Sequence, residues 1–76
     1  MFMYNRDNIT GLLVYHTVDD SYSWEIRGVN GNDVTIEIFN VPTYRLHQIP
    51  YKAGEVMVRH IDYVLELLNT GRWGVL

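Results

Sequence analysis

Alternating apolar and polar residues on both sides of a loop rich in glycine and asparagine restrict the fold of this chain more than any other feature. Before the loop, "YSWEIRG" alternates with a period of two residues, and after it "DVTIEIF" does the same. Alternation of this kind is typical of half-buried strands. The apolar residues on the shared face are Tyr22, Trp24 and Ile26 in the first segment, and Val34, Ile36 and Ile38 in the second. The two segments therefore predict a β-hairpin.

The loop "GVNGN" raises the alternative of a glycine-rich phosphate site. Phosphate loops lead from a strand into a helix N-terminus, whereas this loop leads into a second strand. A three-residue turn over 29–31 keeps the apolar residues on one face and sets Ile26 opposite Val34. Gly31 then takes the left-handed position that such a turn requires. We expect a chain reversal here and not a phosphate site.

A second hairpin is predicted one turn earlier in the chain. The segment "GLLVYHTV" alternates in the same way and ends at "DDS", whose residues suit a turn. Pairing Val18 with Tyr22 sets Val14 opposite Ile26. The face predicted to form the core then carries Leu12, Val14, His16, Val18, Tyr22, Trp24, Ile26, Val34, Ile36 and Ile38. The opposite face, called the outer face below, carries Leu13, Tyr15, Thr17, Ser23, Glu25, Arg27, Thr35, Glu37 and Phe39.

The segment "AGEVMVRHIDYVLELLNTG" carries the clearest helical pattern of the chain. Its apolar residues recur at spacings of three and four, which is the period of an amphipathic helix. They are Met57, Ile61, Val64, Leu65 and Leu68. Gly71 is placed to end this helix in the left-handed conformation. Because the apolar stripe has to be buried, we expect the helix to cover the core face of the sheet.

These elements together predict an α+β fold: an antiparallel three- to four-stranded β-meander with one C-terminal α-helix packed on one face, in two layers. Residues 1–76 are expected to form a single small domain. The segment 40–50 has two interpretations. Its alternation permits a short edge strand, and a helical turn over 43–49 is the alternative.

The composition excludes several classes of protein. The chain has 76 residues and no cysteine, so disulfides and thiolate zinc sites are excluded, and oligomerisation is the common reinforcement left for so small a core. A hydrophobic content of 47% argues against disorder, and a net charge of −3 argues against binding duplex DNA through its phosphates. The opening "MFMYNRDN" lacks the features of a secretory signal, and the aliphatic runs are far shorter than the roughly 20 residues that span a bilayer. We therefore expect a cytoplasmic protein with no membrane contact.

Three histidines, His16, His47 and His60, form the set most suited to metal binding or acid–base chemistry. They lack the spacing of known metal motifs, and a histidine on an apolar face is more often a hydrogen-bonded core residue. Ser21 and Ser23 lie in or beside a turn, outside any nucleophile motif. We therefore expect no catalytic residue, no metal site and no cofactor, and we do not expect an enzyme.

The outer face is less polar than an uncovered sheet usually is, because it carries Leu13, Tyr15 and Phe39. Arg27 lies on the same face, and we expect Trp73 to be a further exposed aromatic residue. Aromatic side chains beside an arginine are typical of protein–protein interfaces. We interpret these five residues as a protein-binding surface.

The sequence thus favours a non-enzymatic binding module that acts by protein–protein contact. Small inhibitors or modulators encoded by phages and other mobile elements are chains of this kind. We expect a protein partner, with a homodimer as a further option. The alternative is a small-molecule, nucleotide or single-stranded RNA binder whose site lies at a subunit interface, because sheet aromatics also stack on bases.

Overall fold

The computed structural model of the chain describes residues 3–18, 23–39 and 55–76, which form five strands and one helix. In chain order these are β1 (Leu13–His16), β2 (Ser23–Asn30), β3 (Asp33–Phe39), β4 (Glu55–His60), α1 (Ile61–Asn69) and β5 (Trp73–Val75). The strands form one antiparallel sheet in the order β4–β3–β2–β1–β5. The predicted α+β arrangement in two layers is confirmed, with five strands instead of three or four. The segment 40–50, with both of its interpretations and His47, lies outside the described residues.

Strand β4 occupies the first half of the segment predicted to be helical, so the predicted helix was too long. Backbone pairing sets Met57 opposite Ile36 and Val58 opposite Thr35. The residues "EVMVRH" combine β-branched side chains with a period of two, which suits a strand beside β3 as well as it suits a helical turn. The segment forms a strand because it pairs with the edge of β3, and this pairing satisfies the backbone N–H and C=O groups at that edge.

The hairpin of β2 and β3 has a different register from the predicted one. Ile26 lies opposite Ile36 and not opposite Val34. Strand β2 has one more residue than β3 between their paired positions, and this residue forms a bulge after Ile26 instead of lengthening the turn. The turn itself contains two residues, Gly31 and Asn32. The predicted left-handed conformation of Gly31 is confirmed by its φ of 63°. The shift from the predicted register is two residues, so each strand keeps its predicted faces.

The hairpin of β1 and β2 shows the same kind of shift. Val14 lies opposite Trp24, and not opposite Ile26 as predicted. A displacement of two residues again preserves the faces within the two strands, and Val14 and Ile26 are both fully buried. Val18, predicted on the core face, lies beyond the end of β1 and is 87% exposed, so that prediction was wrong. The predicted turn falls on residues 19–22, which lie outside the described residues.

Helix α1 crosses the core face of the sheet diagonally. It begins beside the β2–β3 turn, where the N–H of Ile61 donates to the carbonyl oxygen of Asn32 at 2.8 Å. It ends at the other edge and the other end of the sheet, where the N–H of Thr17 donates to the carbonyl oxygen of Arg72 at 3.0 Å. Gly71 has a φ of 77°, which confirms the predicted left-handed end of the helix. The buried helix residues are Ile61, Val64, Leu67 and Leu68.

The N-terminal segment, residues 3–12, closes the core on one side of α1. Its Ile9 is fully buried, and the N–H of Gly11 donates to the carbonyl oxygen of Ile26 at 2.7 Å. Tyr4 is joined to the end of α1 by two hydrogen bonds: its N–H donates to Asn69 Oδ1 at 2.8 Å, and Asn69 Nδ2 donates to its carbonyl oxygen at 3.0 Å. Within the three described ranges, no helix is long and apolar enough to cross a membrane.

Candidate functional site

The predicted protein-binding residues do not form one surface. Leu13 and Tyr15 lie on the outer face as predicted, and both are half-buried. Arg27 is exposed, at the bulge of β2. The backbone of Phe39 ends β3, and its side chain is not among the groups described. Their role in binding is not tested by these positions and stays a prediction.

Tyr15 has a structural partner on the outer face. It lies opposite Gly74 of β5, and a Cβ atom added to Gly74 would overlap the phenol ring of Tyr15. The ring therefore covers a stretch of bare backbone at the edge of the sheet. Part of the surface of Tyr15 is committed to this intramolecular contact.

The centre of the outer face is charged. Arg27 donates to Glu37 at 2.5 Å and lies 4.0 Å from Glu25. Glu37 is buried by these and other neighbours, and Ser23 is buried on the same face. The outer face is thus not a continuous apolar patch. The guanidinium group of Arg27 is already paired with the carboxylates of Glu37 and Glu25.

Among the side chains that the structure describes, the exposed apolar surface of the outer face is concentrated on β4. Val56 is 55% exposed and Val58 is 52% exposed, and they lie opposite Glu37 and Thr35 of β3. This pair was not among the predicted binding residues, because both valines were predicted to lie in a helix. The alternation of Val56, Met57 and Val58 is the signal that could have found it.

The expectation that Trp73 is exposed was wrong, because Trp73 belongs to β5, a strand that was not predicted. Trp73 lies opposite His16, on the face covered by α1, and is 7% exposed. Its indole ring stacks on that of Trp24, with centroids 5.5 Å apart and planes at 17°. Since β1 lies between β2 and β5, the two rings meet across β1.

The stacked tryptophans form one wall of a groove beside α1, called the groove below. It is open to solvent and has a volume of about 190 Å³. The described residues that line it are His16, Trp24, Ile36, Met57, Arg59, Tyr63 and Trp73. Tyr63 of α1 stands at its rim and is 50% exposed. All the strand residues of this lining are on the core face, so the groove is a part of that face that, among the described residues, neither α1 nor the N-terminal segment covers.

Two polar side chains stand in the lining of the groove. Arg59 donates to the carbonyl oxygen of Val58 at 2.9 Å, and it pairs with no carboxylate in the described part of the chain. His16 accepts a hydrogen bond at Nδ1 from the N–H of Val18, at 3.3 Å. The groove is therefore mainly apolar, with an arginine on β4 and a histidine on β1.

The two histidines that the structure describes do not come together. His16 is on β1 and His60 is on β4, so two strands lie between them, and His60 is at the end of the sheet next to the β2–β3 turn while His16 is at the other end. His60 is the N-cap of α1, where its Nδ1 accepts from the N–H of Asp62 at 3.1 Å. Among the described residues, no group of three or more His, Cys, Asp or Glu side chains is placed to hold a metal ion.

Comparison of the chain with protein-family models, curated proteins and solved structures finds no significant match.

Proposed function

We propose that this chain is a non-enzymatic protein-binding module, and that its groove receives an apolar side chain of a partner protein. The observation that carries the proposal is the stacked pair of Trp24 and Trp73 at an open groove, with Tyr63 exposed at the rim. Tryptophan, tyrosine and arginine are the residues enriched at the energetic centres of protein interfaces. All three types line this groove.

The size of the groove supports a partner protein over a free small molecule. Pockets that enclose small ligands usually measure about 300–1,000 Å³. A groove of about 190 Å³ that is open to solvent suits one side chain of a longer segment, whose remainder stays outside. The aromatic walls supply apolar area at a low cost in side-chain entropy, because these rings are already fixed by packing.

The narrower parts of the proposal rest on the sequence. That the module is an inhibitor or modulator encoded by a phage or other mobile element is a hypothesis drawn from its size and composition. A cytoplasmic location belongs to the same hypothesis. The predicted outer-face contacts of Leu13, Tyr15, Arg27 and Phe39 would form a second contact area.

A small-molecule, nucleotide or single-stranded RNA binder is the second candidate function. The observation that favours it is the same indole pair, because aromatic rings also stack on bases. The groove of one chain is small for an enclosed nucleotide, so this function would need a site that is completed at a subunit interface. The net charge of −3 disfavours an RNA strand, which is held mainly by cationic groups.

Affinity capture with matched variants tests the proposal. Wild-type chain, Tyr63→Ala and the control Asp62→Ala are used as baits, and captured proteins are identified by mass spectrometry. Both positions are exposed on α1, but only Tyr63 lines the groove. Truncating a central interface aromatic commonly costs about 2 kcal/mol or more in binding, so Tyr63→Ala should weaken the captured partner at least roughly tenfold. Asp62→Ala should bind like the wild type.

The fluorescence of the chain gives an independent measurement. Its two tryptophans, Trp24 and Trp73, both line the groove, so tryptophan emission, excited at a wavelength where tyrosine does not absorb, reports on this site. Titration with the captured partner should change the emission, and titration with nucleotides or short single-stranded RNA should not. A partner that binds Tyr63→Ala at full affinity without changing the emission would contradict the proposal. An emission change with a nucleotide or RNA would support the second candidate.

A further inference from the structure

The groove differs in charge from the chain as a whole. The chain has nine acidic and six basic residues, and its net charge is −3 with histidine counted as neutral. The described lining of the groove contains no acidic residue, and its one formal charge is the guanidinium group of Arg59. The groove is therefore a positively charged site on an acidic chain.

The guanidinium group of Arg59 has donors left for a ligand. The residue is exposed, and among the described residues it makes one hydrogen bond, from Nη1 to the carbonyl oxygen of Val58 at 2.9 Å. A guanidinium group has five N–H donors and suits a carboxylate, which accepts two parallel bonds. Glu55 of the same strand is four residues away, which separates the two Cα atoms by about 13 Å.

The part of the chain that joins β3 to β4 contains no acid to neutralise Arg59. Residues 40–54 include no Asp or Glu, and they include Arg45 and Lys52. Residues 40–59 thus hold three of the six basic residues of the chain and one of its nine acidic residues. The positive charge at the groove is therefore not cancelled by a carboxylate from this part of the sequence.

We propose that the groove selects a partner segment that carries a carboxylate a few residues from its apolar side chain. The apolar side chain contacts the indole pair of Trp24 and Trp73, and the carboxylate accepts hydrogen bonds from Arg59. This inference rests on the proposed function, because it needs a partner segment in the groove. Charge complementarity of this kind contributes more to the choice of partner than to the affinity itself.

The positions of the two contacts set the spacing in the partner. Trp24 on β2 and Arg59 on β4 are two strands apart, and Arg59 is four residues nearer the β2–β3 turn. These offsets place the two Cα atoms about 16 Å apart. The arginine side chain covers part of this distance, and an extended segment covers the rest in about three residues. The segment therefore has Asp or Glu about three residues from its apolar residue.

A phosphate group is the other anion that an arginine binds well. Phosphate sites commonly use free backbone N–H groups at a helix N-terminus. At the start of α1 the N–H of Ile61 donates to the carbonyl oxygen of Asn32, and the N–H of Asp62 donates to His60. Asp62 also adds a negative charge to this first turn. The helix end beside Arg59 is thus poorly suited to phosphate, and a carboxylate is favoured.

Selection from a displayed library of random peptides tests the proposal. Peptides selected on the wild-type chain should be enriched in Asp or Glu about three residues from an aromatic or aliphatic residue. Selection on Arg59→Glu should enrich Lys or Arg at that position instead, because the charge in the groove is reversed. The control Arg72→Glu makes the same change in net charge beyond the end of α1, outside the lining of the groove, and should enrich the same peptides as the wild type.

A binding measurement then isolates the pair of charges. One selected peptide without tryptophan is titrated into the chain, and tryptophan emission gives the dissociation constant. Replacing the acidic residue of the peptide by its amide should raise this constant about fivefold for the wild type. The same replacement should change the constant by less than about twofold for Arg59→Gln, because the two substitutions remove one interaction. Circular dichroism checks that Arg59→Gln and Arg59→Glu are folded.

The outcomes distinguish this inference from the proposed function. Peptides with an apolar residue but no acidic enrichment, or the same acidic enrichment on Arg59→Glu, would overturn the role of Arg59 and leave the apolar groove standing. Peptides that bind Tyr63→Ala at full affinity would contradict the groove itself. A library that gives no binding peptide would count against both proposals. An emission change with inorganic phosphate that is lost in Arg59→Gln would assign this arginine to the second candidate function and overturn the inference.

Discussion

The two sides of α1 differ in what fills the space between the helix and the sheet. On one side the N-terminal segment supplies Ile9, which is fully buried, and hydrogen bonds from Tyr4 and Gly11 hold the segment in place. On the other side the space is the groove, with Tyr63 at the rim. The sheet offers apolar residues to both sides, so the difference does not come from the strands.

The difference shows where the described part of the chain leaves apolar area of the core face uncovered. A nine-residue helix is about 13.5 Å long and cannot cover a face of five strands, which is about 19 Å wide between its outer strands. Something has to cover the rest, and the chain does so with its own residues on one side. On the other side the described residues leave Trp24 half-buried beside the buried Trp73, and the groove at this indole pair is open to solvent.

The largest expected effect on stability comes from removing a core side chain on the side of α1 that the N-terminal segment covers, called the closed side below; the side with the groove is called the open side. Ile9→Ala should lower the free energy of unfolding by about 2–5 kcal/mol, because it leaves a cavity among fully buried neighbours. Met57→Ala on the open side should cost about 1 kcal/mol, because Met57 is only half-buried. Urea denaturation of the two variants and the wild type measures the difference.

Ile9→Val provides a milder version if Ile9→Ala does not fold, with an expected cost of about 0.5–1.5 kcal/mol. Equal losses for Ile9→Ala and Met57→Ala would mean that the groove is as well packed as the closed side. In that case the proposed difference between the two sides would be wrong.

A smaller effect is expected at the turn that the closed side contacts. The side chain of Arg6 donates to the carbonyl oxygen of Gly31, whose φ is 63°. Gly31→Val should cost about 1–2 kcal/mol, because a β-branched residue is strained in the left-handed region. Gly31→Asn should cost less, because asparagine tolerates this region.

The binding of a partner at the groove should be unchanged in both Gly31 variants, since Gly31 does not line it. Affinity is measured by tryptophan fluorescence under conditions where both variants are folded. Loss of binding by a variant of normal stability would indicate that the turn contacts the partner itself.

Much of the fold could be predicted because side-chain alternation and glycine conformation are local properties. The faces of β1, β2 and β3, the conformations of Gly31 and Gly71 and the covering helix all follow from patterns within a few residues. The registers could not be predicted, because a bulge after Ile26 and a three-residue turn satisfy the same alternation. The two differ only in backbone geometry, which the sequence pattern does not distinguish.

The groove could not be predicted for a different reason. It depends on β4 and β5, and both take their conformation from a neighbouring strand. Met57 and Arg59 fit a helical stripe as well as a strand, and β5 has only three residues. Trp73 was selected as a binding residue on the assumption that it is exposed, yet it lies in the wall of the groove. Its place there follows from pairing with β1, which no local pattern shows.

The smallest effects compare Asn69 and Tyr63, two exposed residues of α1 that serve opposite sides of the helix. Asn69 is joined to the backbone of Tyr4 by two hydrogen bonds, at 2.8 and 3.0 Å. Asn69→Ala should therefore cost about 0.5–1.5 kcal/mol and speed hydrogen exchange in residues 3–9, because the N-terminal segment loses its attachment to the helix. Tyr63→Ala should change stability by no more than about 0.5 kcal/mol and leave that exchange unaltered.

Together the two variants separate folding from binding. Asn69→Ala should keep full partner affinity at the groove, whereas Tyr63→Ala should lose it while the protein stays stable. Thermal unfolding, hydrogen exchange and fluorescence titration on the same samples give the three readouts, and a dimer requires that protein concentration be held fixed. If Tyr63→Ala destabilises the chain as much as Asn69→Ala, the tyrosine is a structural part of the helix–sheet contact. The open side of α1 would then be less available to a partner than the groove suggests.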